Sequence, residues 1–126
     1  MAYLAGMVLG NGEVQRDKDT TTVTIDIPYK KLEDDEGKDV AIYVKASLFD
    51  ISGIIKPLIN GDLSVSHTKH SAKLTFTKRN GDYAISELMR FIGNGINHTS
   101  MTLNKELFNI STDEKKELLR GIADVT

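Results

Sequence analysis

Apolar and polar positions divide the chain into short helical and extended stretches. Ala2 to Leu9 is apolar almost throughout, as in a buried helix. Gly10-Asn11-Gly12 ends it, because glycine tolerates the left-handed turn at a helix C-terminus. Glu13 to Asp19 is polar and reads as a strand start or a loop. From Thr22 to Ile27 the pattern alternates: Val23, Ile25 and Ile27 fall on one side, Thr22, Thr24 and Asp26 on the other. A second strand is expected over Asp39 to Ala46, with Val40, Ile42, Val44 and Ala46 on one face and Tyr43 and Lys45 on the other. Ser47 is placed to cap the next helix. That helix carries the stripe Leu48, Ile51, Ile54, Ile55, Leu58 and should end or bend near Pro57.

After the turn signal Asn60-Gly61-Asp62, Leu63 and Val65 alternate with Ser64, Ser66 and Thr68. Ala72, Leu74 and Phe76 then alternate with Lys73, Thr75 and Thr77, so the two segments read as an antiparallel hairpin. Asn80-Gly81-Asp82 closes it. A helix near Ala84 to Ile92 turns Ile85, Leu88, Met89 and Ile92 inward, and Gly93 and Gly95 stop it. Met101 to Ile110 is an irregular connector. Ser111-Thr112-Asp113-Glu114 is a capping box, opening a last helix with Leu118, Leu119, Ile122 and Val125 apolar. That helix meets no stop signal, as expected of a fragment of a longer chain. The expected fold is α+β, an antiparallel sheet with helices on its apolar side and a face rich in Thr, Ser, Lys and Arg left open.

Length and composition narrow the function. A chain of 126 residues holds one ordinary domain. It has no cysteine, which excludes disulfides, thiolate metal sites and a Cys nucleophile. No apolar run is long enough for a membrane span and no secretory leader is apparent, so a cytoplasmic protein is expected. The sequons at Asn97 and Asn109 are then chance matches. The net charge of −2 excludes a histone-like polycation, but the charge is uneven. Residues 32–39 carry five acids and one lysine, whereas residues 62–79 carry Lys69, Lys73, Lys78 and Arg79 against Asp62. A basic face is compatible with the negative total. His67 and His70, three apart on a strand, fall on opposite faces and would not share a metal. Gly10-Asn11-Gly12 lacks the spacing and the Lys-Ser/Thr ending of a phosphate-binding loop, and His67, His70 and His98 have no context for a catalytic triad.

Two segments resemble a known signature. Tyr3-Leu4-Ala5-Gly6-Met7-Val8-Leu9-Gly10-Asn11-Gly12 is similar to the LAGLIDADG motif of homing endonucleases. Leu118-Leu119-Arg120-Gly121-Ile122-Ala123-Asp124-Val125-Thr126 is similar to a second copy, cut before its closing glycine, and Lys105 to Ser111 resembles the connector that often precedes it. The order helix-strand-strand-helix-strand-strand-helix between them matches that family's unit, with a four-stranded antiparallel saddle sheet. The resemblance divides the chain into a domain over 1–100 and a connector with the second motif helix over 101–126. Independently of it, Gly6 and Gly10 share a helix face beside Ala5, and Gly121 and Ala123 form a second small patch. Small residues let helix backbones approach closely, so these patches suit a helix-on-helix seam, or for Gly6 a fit against the sheet.

The resemblance implies parallel motif helices whose C-terminal ends meet at the centre of a DNA-binding surface. It also implies an acid at the penultimate motif position of each helix, binding a divalent ion such as Mg²⁺ for strand cleavage. Here those positions hold Asn11 and Thr126, which carry no charge for a hard cation. Asn11 also suits a plain helix cap or turn. Glu13 is the nearest acid able to reach the same space and is the one candidate metal ligand. Asp124 would point elsewhere on its helix. The expected function is double-stranded DNA binding with the sheet face in the major groove and weak or no cleavage by this chain alone. Alternatives are an active Mg²⁺-dependent endonuclease using Glu13 or groups outside the chain, and an interaction domain that binds no nucleic acid. Candidate DNA contacts are Gln15, Arg16, Thr22, Thr24, Lys45, Ser64, Ser66, Thr68, Lys73, Thr75 and Thr77, with Lys69, Lys78 and Arg79 at hairpin ends for phosphates. The partner beyond DNA would be a second unit in a longer chain, or a second copy paired through the motif helices.

Overall fold

The computed structural model describes residues 1–29, 40–93 and 110–126, with the backbone alone at 40–46. The acidic run at 32–39, Gly95, His98, the sequon at Asn97 and the connector 101–109 with the sequon asparagine Asn109 lie outside the described residues. The fold is α+β. Helices α1 (Ala2–Asn11), α2 (Val40–Ile59), α3 (Tyr83–Ile92) and α4 (Thr112–Val125) accompany strands β1 (Gly12–Arg16), β2 (Thr20–Pro28), β3 (Ser64–His67) and β4 (Ser71–Arg79). The strands form one open antiparallel sheet in the order β1-β2-β4-β3.

Two expected elements are corrected. Residues 40–46 are the first turns of α2, not a strand. The apolar residues Val40, Val44, Leu48, Ile51 and Ile55 recur every three or four positions, so one helical stripe runs through the stretch that also alternates. Ser47 is therefore inside the helix and not its cap. The remaining strand is Gly12–Arg16, which follows α1 without a loop. Gly12 is extended (φ −122°), not left-handed. Glycine is needed there for space, since a Cβ would come 2.6 Å from Val8 Cα.

Inward residues of the strands, Val14, Val23, Ile25, Ile27, Leu74 and Phe76, join Leu4, Met7 and Val8 of α1 and Ile55, Ile85, Leu88 and Ile92 in one core. Helix α1 is buried from Ala2 to Val8, so burial rather than propensity holds it, at roughly 1.5–3 kcal/mol per large side chain. Asp82 caps α3, accepting from Ala84 N at 2.9 Å, and Gly93 at φ 70° ends it. The Ser111–Glu114 capping box opens α4. Ile54 and Leu119, expected in apolar stripes, are exposed.

Asn80, legible only as a turn residue, ties both hairpins together. Its Oδ1 accepts from the buried Thr21 Oγ1 at 2.6 Å, and its Nδ2 donates to the carbonyls of Asp17 and Lys18 at 3.1 Å. Asn80→Ala leaves the Thr21 hydroxyl buried without its acceptor. It should cost about 2 kcal/mol and lower the melting temperature by roughly 8 °C, as read by calorimetry.

Helices α1 and α4 meet backbone to backbone. A Cβ on Gly6 would overlap the Leu118 carbonyl, one on Gly121 would overlap the Tyr3 carbonyl, and one on Gly10 would lie 2.6 Å from Val125 Cγ2. Gly6 faces Leu118 to Ile122 and Gly10 faces Ile122 to Val125, so contacts advance together along both helices and the two run parallel. Ala5 is buried, whereas Ala123 is exposed, because its position on α4 turns it away from α1.

At the rim of this contact the buried Tyr3 hydroxyl donates to Asp124 Oδ2 at 2.6 Å, and the Arg120 guanidinium lies 5.0 Å from the Tyr3 ring centroid. Burial, then the hydrogen bond to Asp124 and its charge, raise the Tyr3 pKa well above the usual tyrosine value, with Arg120 opposing. The folded chain thus holds this proton where the unfolded chain releases it. Its contribution is complete below pH ~10 and is lost above it, by about 1.4 kcal/mol per pH unit. Alkaline denaturation curves of Tyr3→Phe should be shallower than wild type by that amount.

Candidate functional site

The outward side of the sheet is uncovered by any described element, and the strand register places its side chains in rows. Gln15, Thr22 and Thr77 form one row. Glu13, Thr24, Thr75 and Ser64 form the next, and Asp26, Lys73 and Ser66 a third. Thr20 pairs with Arg79 at the far end. Threonine is favoured here because its branched Cβ suits a pleated surface while its hydroxyl faces out. The hydroxyls touch across strands: Thr22 Oγ1 and Thr77 Oγ1 are 2.9 Å apart, and Thr75 Oγ1 donates to Thr24 Oγ1 at 3.5 Å. The result is a surface of short donors and acceptors on a rigid ladder, held from behind by the core.

Of the sequence candidates, Gln15, Thr22, Thr24, Ser64, Ser66, Lys73, Thr75, Thr77 and Arg79 lie on this face. Four others do not. Lys45 is on α2, because its segment is helical. Lys78 pairs with Thr21 on the core side of the sheet, and its Nζ donates to the Asn60 carbonyl at 3.1 Å. Thr68 lies in the β3–β4 turn, where its Oγ1 bonds Ser71. Arg16 also pairs with Thr21, although it is exposed at the strand end. Lys69 is exposed in the β3–β4 turn.

Asp26 and Thr20 were not among the candidates. The alternation of β2 places Asp26 outward, an acid on a face otherwise rich in Ser, Thr, Lys and Arg. Asp26 is half-buried, and its Oδ1 is enclosed with no hydrogen-bond donor among the described residues. Glu13 and Asp26 offset Lys73 and Arg79, so the face is close to neutral and Lys69 adds positive charge only at its margin.

The candidate catalytic positions separate. Asn11 lies at the C-terminal end of α1, and its Nδ2 donates to the Asp26 carbonyl at 3.0 Å, fastening the helix end to β2. Thr126 Oγ1 donates back to the Ile122 carbonyl at 2.7 Å. Asp124 is engaged by Tyr3, and Glu13 is exposed on the open face. Among the described residues no group of three or more His, Asp or Glu is arranged to hold a metal ion. Both motif-end side chains act as donors to backbone carbonyls, so the residues present do not fit a divalent-ion centre. A 330 Å³ groove lined by Tyr3, Ser47, Asp50, Ile51, Arg120 and Asp124 lies elsewhere, beside the outer flank of α4.

The chain matches no family model, no curated protein and no solved structure. None of the described helices is long and apolar enough to cross a membrane.

Proposed function

We propose that the chain binds double-stranded DNA through the open face of its sheet, laid in the major groove, and does not cut it unaided. The observation that carries this reading is the uncovered four-stranded face with its cross-strand threonine rows. The major groove admits a two-stranded ribbon, which the central pair β2 and β4 would supply, and short hydroxyl side chains suit base edges, which present both donors and acceptors. Lys69, Arg16 and Arg79 stand at the margins, where phosphates would flank a docked sheet. The parallel glycine contact of α1 and α4 supports the LAGLIDADG-type reading, since that family's resemblance implies such a pair. The absence of an acid at Asn11 and Thr126 supports loss of cleavage. Because α4 of the same chain covers the glycine face of α1, a homodimer through two α1 helices would require displacing α4, and the proposal does not invoke it.

The test is retention of duplex DNA at increasing NaCl. Three phosphate contacts should give a log–log slope of roughly −3 in affinity against salt. No retention at low salt would contradict the proposal. Supercoiled plasmid incubated with the chain and Mg²⁺ or Mn²⁺ should remain intact. Nicking that is abolished by Glu13→Gln would instead support the endonuclease alternative.

A further inference from the structure

We infer that Asp26 and Lys73 act as one reading unit for a C·G base pair, with Asp26 taking the cytosine and Lys73 the guanine. The inference rests on the DNA-binding proposal and gives it a specificity. The two residues are direct register partners on neighbouring strands β2 and β4, both on the open face. Side chains so placed stand about 5 Å apart and point the same way, within reach of the two halves of one base pair. Among the described residues no ion pair joins them, and Asp26 Oδ1 has no donor. Opposite charges are thus set side by side on the open face without a direct ion pair.

Asp26 is also partly desolvated already, because its Oδ1 is enclosed while the residue as a whole is half-buried. The enclosed Oδ1 is out of reach of solvent and of a docked base alike, so an incoming donor would be met by Oδ2, on a carboxylate that gives up less water on docking than a fully solvated one. Its position is fixed by the adjacent backbone, since Asn11 Nδ2 holds the Asp26 carbonyl.

The pattern of base edges then selects the pair. In the major groove a G·C pair presents two acceptors, guanine N7 and O6, followed by the cytosine N4 amine as donor. A lysine over the two acceptors and an aspartate over the donor complement that order. An A·T pair presents acceptor, donor, acceptor and then the thymine methyl. There the aspartate meets an unpaired acceptor on one side whichever way it is placed. The carboxylate is the discriminating group, and the ammonium offsets its repulsion from the phosphates. Thr24 and Thr75, one row away, can engage either base pair and add little selectivity.

The experiment is selection of a randomised duplex library by the full chain, repeated with Asp26→Asn and with Lys73→Met. Wild type should enrich a position fixed as C·G. Each variant should relax preference at that same position by roughly tenfold while other positions keep theirs. Melting curves establish that each variant is folded, and Lys73→Met carries the same expectation if Asp26→Asn does not fold. Preferences unchanged in a folded variant, or two variants acting on different positions, would overturn the inference and leave DNA binding intact. Enrichment of no duplex at all by wild type would overturn the DNA-binding proposal and this inference with it.

Discussion

Gly121→Ala is expected to cost about 3–5 kcal/mol, near or beyond what a small domain can lose. Overpacking usually costs less because neighbouring side chains shift. Here the added methyl would overlap the Tyr3 carbonyl and lie 2.8 Å from Met7 N, both backbone atoms of a helix buried on nearly all sides. Relief would require α4 to move away from α1. That would uncover Leu118 and Val125 and break the Tyr3–Asp124 hydrogen bond. The melting temperature should fall by roughly 12–20 °C, and Gly6→Leu should do the same from the opposite side. Gly53→Ala is the control. A Cβ there meets nothing within 4 Å, and alanine is the better helix former, so its melt should hold or rise slightly.

Thr22→Glu combined with Arg79→Glu should weaken DNA retention by about a hundredfold, with the fold preserved. Both positions are on the open face, away from the core, and neither directly faces an acid across the sheet. A carboxylate brought against phosphates costs several kcal/mol per close approach, and one phosphate contact is lost with Arg79. Charge reversals at Lys56 of α2 and Lys116 of α4, exposed on helices and outside the proposed contact, give a measure of the general effect of net charge. A comparable loss there would mean that total charge, not this face, governs retention.

Much of the architecture was legible because β2, β4, α3 and α4 carry consistent local signals. The alternation of β2 places every second residue in the core, and the capping box of α4 forms as its spacing requires. The segment 40–46 misled because apolar residues at every second position include a set at every fourth, which suits a strand and a helix alike. The longer run to Ile59 decides between them. β1 was weak because its only inward apolar side chain is Val14. For the candidate site, the strand periodicity placed most threonines and serines correctly. Lys78, expected at a hairpin end facing phosphates, sits instead on the core side, where a lysine can lay its stem along apolar surface and reach the Asn60 carbonyl. The partnerless Asp26 oxygen depends on three-dimensional enclosure and leaves no trace in a one-dimensional pattern. The Gly6–Gly121 contact was readable from helical glycines that have no other use, whereas the exposure of Ala123 depends on how α4 is rotated.

The most direct measurement is a two-dimensional amide NMR titration of the full chain with a duplex of arbitrary or selected sequence. Shifts confined to Gln15, Thr22, Thr24, Lys73, Thr75, Thr77 and the Lys69 turn are the expected result. Shifts centred on the outer surfaces of α2 and α4, around Phe49 and Leu119, or no shifts at any duplex concentration, would contradict it.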